Sequence, residues 1–166
     1  MSELRESLVL AVHPTARGFG WVLFEGPEAP VLWGMVSARK GREKRLYARF
    51  ERLLRRHRPT ALVMESFEGD ASRRAGRIQT VCRTLRHLAA VAGLDIVIYP
   101  RAVVEACFAK GGRTTRFGIA RAIAARIGYF DHRMPRYRKP WFAEDQRQSL
   151  FDAAALAMTY FRHAGG

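Results

Sequence analysis

Three short apolar segments, parted only by tight turns, open this chain and restrict the folds open to it. Residues 7–13 are apolar nearly throughout and read as a strand buried on both faces. Pro14-Thr15-Ala16-Arg17-Gly18 turns the chain, and Phe19 to Phe24 reads as a second strand. Gly26-Pro27-Glu28-Ala29-Pro30 turns it again, and Val31 to Ser37 reads as a third. Links this short join antiparallel neighbours, because a parallel pair needs a crossover of about a dozen residues or more.

The rest of the chain alternates helix and strand. Glu43 to His57 carries Leu46, Phe50, Leu53 and Leu54 as one helical stripe, and Pro59 ends it. Ala61 to Glu65 reads as a strand, and Ser72 to Ala92 as a long helix with Gly93 at its C-terminal cap. Val81, Leu85, Leu88, Ala89 and Ala92 form a stripe on that helix and read as core. Asp95 to Tyr99 is a fifth strand closed by Pro100, and Val103 to Phe108 a short helix. Gly111-Gly112 breaks the chain, and Thr114 or Thr115 caps a helix reaching Ile127. Residues 128–145 read as a basic loop, and Gln146 to Arg162 as the last helix. The expected fold class is α/β: one domain over residues 1–166, with a mixed five-stranded sheet flanked by helices. Three strands are antiparallel, and two later ones join in parallel through right-handed crossovers.

Charge narrows the function. Lys and Arg total 29 against 15 acids, a net charge of +14, and nearly all the bases are Arg, which contacts phosphate bidentately. A polyanion is the expected partner, and nucleic acid the expected polyanion. No apolar run approaches the roughly 18 residues that span a bilayer, and no long basic amphipathic helix suggests a membrane surface. Cys82 and Cys107 lack metal-ligand spacing and read as buried, reduced thiols of a cytoplasmic protein.

Three residues stand out against this background. His13 ends the first strand, Glu65 ends the fourth, and Asp152 lies in the apolar run Leu150 to Met158 of the last helix. A carboxylate in such a helix is costly to bury unless something positive meets it. Ligand sites of open α/β sheets form at the carboxyl ends of strands near a topological switch point, where His13 and Glu65 both fall. The set points to metal-dependent chemistry on nucleic acid.

The same segments resemble the RuvC-like Holliday-junction resolvases of the ribonuclease H-like superfamily, over roughly residues 7–162. Val9-Leu10-Ala11-Val12-His13 through Trp21 is similar to the family's opening strand and turn, with His13 where the family usually has aspartate. Ala61-Leu62-Val63-Met64-Glu65-Ser66-Phe67 is similar to its second motif, and Phe151-Asp152-Ala153-Ala154-Ala155-Leu156-Ala157 to its terminal-helix motif. Ser149 stands where many relatives carry another aspartate, and Glu144-Asp145 lies just upstream. The resemblance implies an integrase-like fold, divalent-metal phosphodiester hydrolysis, branched DNA as substrate and a homodimer.

Such hydrolysis uses two Mg²⁺ or Mn²⁺ ions about 4 Å apart, held by carboxylate oxygens. Glu65 and Asp152 are the expected ligands. Asp145 shares a helix face with Ser149 and Asp152 if the helix begins there; it serves equally well as a first-turn acid. An imidazole is a poor Mg²⁺ ligand, so three readings of His13 stand open. It is a transition-metal ligand, a general base toward water beside one metal, or a satisfied polar residue in a non-catalytic nucleic-acid-binding protein, alone or within a larger nucleoprotein assembly. The expected nucleic-acid contacts are Arg17, the helix-start cluster Arg73, Arg74 and Arg77, Lys110 near a scissile phosphate, and Arg136, Arg138 and Lys139 around Tyr137 and Trp141. Between Arg39 and Arg58 lie ten Lys or Arg and two Glu, partly a solvated face.

Overall fold

The structure, a computed structural model, describes residues 8–67, 73–109, 115–128, 130 and 147–164. Its strands are β1 (Val9–Pro14), β2 (Gly18–Phe24), β3 (Pro30–Ser37), β4 (Ala61–Glu65) and β5 (Asp95–Tyr99). Its helices are α1 (Glu43–His57), α2 (Arg73–Val91), α3 (Arg101–Phe108), α4 (Arg116–Arg126) and α5 (Gln148–Ala164). They form one five-stranded sheet in the order β3-β2-β1-β4-β5. β1 and β2 pair antiparallel, as do β2 and β3, whereas β4 joins β1 and β5 joins β4 in parallel. The expected mixed sheet is therefore the observed one, with β1 and β4 side by side at its centre.

Strand periodicity sorts each strand onto two faces. Leu10, Val12, Phe19, Trp21, Leu23, Leu62 and Met64 pack with Leu46, Phe50 and Leu54 of α1 and Val81, Leu85 and Ala89 of α2. Val81, Leu85 and Ala89 of the expected α2 stripe are thus core and Leu88 packs half-buried beside them, whereas Ala92 lies past the end of the helix and is exposed. Val9, Ala11, Val22, Phe24, Ala61 and Val63 pack on the opposite side with Val104, Ile119, Ile123 and α5. Every residue of α5 from Gln148 to Thr159 is buried, which explains its apolar composition. The β1–β4 register pairs Ala11 with Val63, and the same offset two residues on sets His13 level with Glu65. Both share parity with Ala11 and Val63, so both belong to the α5 side of the sheet.

Gly20 decides how closely α5 approaches. It is the register partner of His13 on β2. A Cβ added at Gly20 would lie 2.6 Å from Ser149 Oγ and 2.8 Å from the Ser149 carbonyl carbon. Only a residue without a side chain lets this turn of α5 rest on the strand beside His13.

Most expected boundaries agree with the structure to within two residues. Thr115 caps α4, its hydroxyl accepting from Gly118 N–H at 3.0 Å. The departure that matters is α3, which begins at Arg101 instead of Val103, because Pro100 takes the N-cap with its extended backbone. Cys82 is buried, and burial pushes its thiol up to about 12. Cys107, expected to be buried as well, is only half-buried, since it lies on the short helix α3. Among the described residues, no helix is long and apolar enough to cross a membrane.

Candidate functional site

The three residues singled out by the sequence meet in space. His13 Nε2 lies 3.1 Å from Glu65 Oε2, and His13 Nδ1 lies 3.6 Å from Asp152 Oδ2. All three are buried, at 6 %, 8 % and 3 % exposure, and Phe67 sets its ring edge-on to the imidazole. The carboxyl ends of β1 and β4 supply two of these side chains and α5 supplies the third. Ser66 N–H donates to the Tyr99 carbonyl at 2.9 Å and extends the β4–β5 pairing one residue past Glu65, holding that strand end in place.

Two arginines complete the cluster. Arg101, the first residue of α3, places Nη1 3.6 Å from Glu65 Oε1 and 3.9 Å from Asp152 Oδ1. Its Nε donates to Glu105 Oε1 at 3.2 Å. Arg116, the first residue of α4, donates to Asp152 through Nη2 and through Nε, the latter at 3.3 Å. Gln148 Nε2 also donates to Asp152 Oδ1 at 3.2 Å and bonds the Arg116 carbonyl at 3.3 Å. Burial pushes the Asp152 carboxyl up, but the charge at His13, the hydrogen bond and charge of Arg116 and the charge of Arg101 outweigh it and hold it below the usual carboxylate range.

Neither arginine was legible as a site residue. In the sequence each is one of 29 basic residues. The signal that locates Arg101 is the rule already applied to β1 and β4: Tyr99 is the register partner of Glu65, and Arg101 follows the carboxyl end of β5.

This donor set bears on the expected pair of ions. Two carboxylates face two guanidiniums, and the two nitrogens of His13 point at different acids. Among the described residues no group of three or more His, Cys, Asp or Glu is arranged to hold a metal ion. The described donors therefore do not fit two Mg²⁺ or Mn²⁺ ions. Asp145 and its neighbour Glu144 lie outside the described residues, as do Lys110, Arg136, Arg138 and Lys139. Ser149 is buried against Gly20.

Two grooves are basic, and one of them opens onto the centre. Arg17, Arg39, Lys40 and Arg77 line one, with Glu43. Backbone hydrogen bonds and the charges of Arg77 and Lys40 hold the Glu43 carboxyl below its ordinary value. The expected contact Arg17 and the helix-start residue Arg77 thus share one wall-lined surface. Arg73 and Arg74 occupy the first turn of the same helix, and their side chains lie outside the described part. The second groove, lined by Phe67, Gln79, Arg83 and Arg86, reaches Glu65 itself.

No protein-family model matches the sequence, and no curated protein matches it. Solved structures do. RuvC of T. thermophilus in complex with Holliday junction substrate matches with a TM-score of 0.71 at 19 % identity, covering 95 % of this chain and 94 % of that one. A second Thermus thermophilus RuvC structure matches with a TM-score of 0.67 at 22 % identity, over 95 % and 96 %. The Fowlpox virus resolvase in complex with Holliday junction DNA matches with a TM-score of 0.54 at 12 % identity, over 93 % and 99 %. The fold is the ribonuclease H-like fold of the RuvC-type resolvases, along nearly the whole length of both chains.

Proposed function

We propose that this chain is a structure-selective endonuclease of the resolvase kind, which binds branched DNA and holds one phosphodiester at the His13–Glu65–Asp152 centre for hydrolysis. The observation that carries this reading is the convergence of those three residues at the carboxyl ends of β1 and β4, in a chain of net charge +14. The solved structures of similar fold that hold Holliday-junction DNA support branched DNA as the substrate class.

The chemistry open to the described residues is general-base hydrolysis. With Nε2–H donated to Glu65, His13 keeps Nδ1 as a proton acceptor, and Nδ1 is buried without a hydrogen-bond partner among the described residues. A water placed there adds to phosphorus as its proton passes to Nδ1. One P–O ester bond breaks, and the departing oxygen takes a proton from solvent. Arg101 and Arg116 face the charge that builds on the phosphoryl oxygens. DNA would approach over the two basic grooves, read by backbone and shape.

One observation favours a second reading, binding without cleavage: each carboxylate is already paired with a guanidinium, so the centre is neutralised from within. Incubation of wild type and Glu65→Gln with a labelled four-way junction and a matched linear duplex separates the two, in Mg²⁺, in Mn²⁺ and in chelator. The endonuclease reading expects product from the junction only, lost in Glu65→Gln. Tight binding with no product in any condition would establish the second reading. Equal cutting of the duplex would refute structure selection.

A further inference from the structure

Arg101 makes three different uses of one guanidinium. Its Nε is hydrogen-bonded to Glu105, and its Nη1 sits between Glu65 Oε1 and Asp152 Oδ1, at 3.6 Å and 3.9 Å. Its Nη2 is buried and has no hydrogen-bond partner among the described residues. Two other buried atoms of the same cluster, Glu65 Oε1 and His13 Nδ1, have no hydrogen-bond partner among the described residues. Leaving buried polar atoms unpaired is expensive, so three of them in one cluster call for a functional account.

Glu65 and Asp152 would be the residues to hold a divalent ion, which would supply positive charge toward a phosphoryl oxygen. Arg101 already spans the acids, and its unpaired Nη2–H is a donor suited to a non-bridging phosphate oxygen. With Arg116 on Asp152, two negative charges meet two positive ones before any ion arrives. Divalent ions are held by carboxylate oxygen, and each of the two described carboxylates already faces a guanidinium.

We propose that Arg101 takes the part of a metal ion at this centre, clamping Glu65 to Asp152 with one edge and binding a DNA phosphodiester with the other, without a divalent cation. The proposal deepens the reading that the chain engages branched DNA at this site, and rests on it. Arg101 was placed here by Pro100, which starts α3 directly after β5.

Two measurements on the full chain test it. The first uses no DNA: Mn²⁺ is titrated into wild type, Glu65→Gln and Arg101→Gln and followed by electron paramagnetic resonance. Wild type and Glu65→Gln should show the same weak, unsaturable uptake, and Arg101→Gln should gain a saturable site. The second measures affinity for a four-way junction at fixed ionic strength, in Mg²⁺ and in chelator. Wild type should bind equally in both, and Arg101→Gln about 10–100-fold more weakly in both, the worth of a charge-assisted hydrogen bond. Should Arg101→Gln fail to fold by circular dichroism, Arg101→Lys keeps the charge without the fork and should lose roughly 3–10-fold. Saturable, Glu65-dependent Mn²⁺ uptake by wild type would overturn the proposal, as would junction affinity that collapses in chelator or survives the substitution of Arg101. A wild type that binds neither Mn²⁺ nor the junction would overturn the functional reading and, with it, the phosphodiester contact of Arg101, whereas saturable Mn²⁺ uptake with junction binding intact would overturn the proposal alone.

Discussion

Replacing Gly20 by Ala should damage the centre from behind, without touching any of its charged groups. The new methyl would stand 2.6 Å from Ser149 Oγ, 2.8 Å from its carbonyl carbon and 2.9 Å from its carbonyl oxygen. The hydroxyl can rotate away, but the backbone of α5 cannot. Restoring ordinary contact means opening 2.8 Å to 3.4 Å, a retreat of 0.6 Å by a helix buried along twelve consecutive residues. Overpacking of this kind costs about 1–3 kcal/mol, which for a chain of this size lowers Tm by roughly 2–12 °C. The retreat also carries Asp152, three residues on from Ser149, away from His13 and Arg116. Thermal unfolding by circular dichroism reads the first effect, and junction cleavage or affinity at a temperature where the variant stays folded reads the second. A variant as stable as wild type would show that α5 does not rest on β2 as argued. A variant that is destabilised but fully active when folded would show that the spacing of Asp152 is not critical.

Acid should act through Asp152. Its folded pKa lies below the unfolded value near 3.9, so its ion pairs contribute stability in full above that value and lose it as pH falls through the folded pKa. The titratable and charged groups facing it are His13, Arg101 and Arg116, with Gln148 as a neutral donor. Asp152→Asn should cost about 1–3 kcal/mol at pH 7 and progressively less as pH falls below the unfolded value near 3.9, measured by urea unfolding at several pH values; a cost that does not fall with pH would mean the carboxylate charge is not what matters. On the binding side, the double substitution Arg17→Gln with Arg77→Gln should weaken binding to all DNA sequences alike. It should also flatten the slope of log affinity against log salt by about 1–2. An unchanged slope would place DNA on another surface.

The sequence disclosed the sheet and the acids better than it disclosed the bases. Strand ends were readable because turn residues bracket them: Pro14 to Gly18 after β1, Pro59 before β4, Pro100 after β5. Two-residue periodicity then sends His13 and Glu65 to one face, and an isolated Asp152 in an apolar helix marks a buried charge that requires partners. Those partners stayed hidden for a physical reason. A lone carboxylate in an apolar run is conspicuous, whereas Arg101 and Arg116 are two guanidiniums in a chain of 29 basic residues. Their distinction is positional, each being the first residue of a helix packed at the carboxyl edge of the sheet. A helix read as starting at Val103 has Arg101 in the preceding loop, which gives its side chain no defined direction. Gly20 was visible only as part of a motif, because its role depends on α5, which arrives more than 120 residues later in the chain.

Competition between a four-way junction and a linear duplex of the same sequence content, at physiological salt and in chelator so that no strand is cut, tests branched-DNA recognition most directly. A resolvase-type surface should favour the junction by at least about tenfold, roughly 1.4 kcal/mol, and Glu65→Gln should preserve that preference. Equal affinity for the two DNAs would mean that the positive charge holds nucleic acid without regard to its shape.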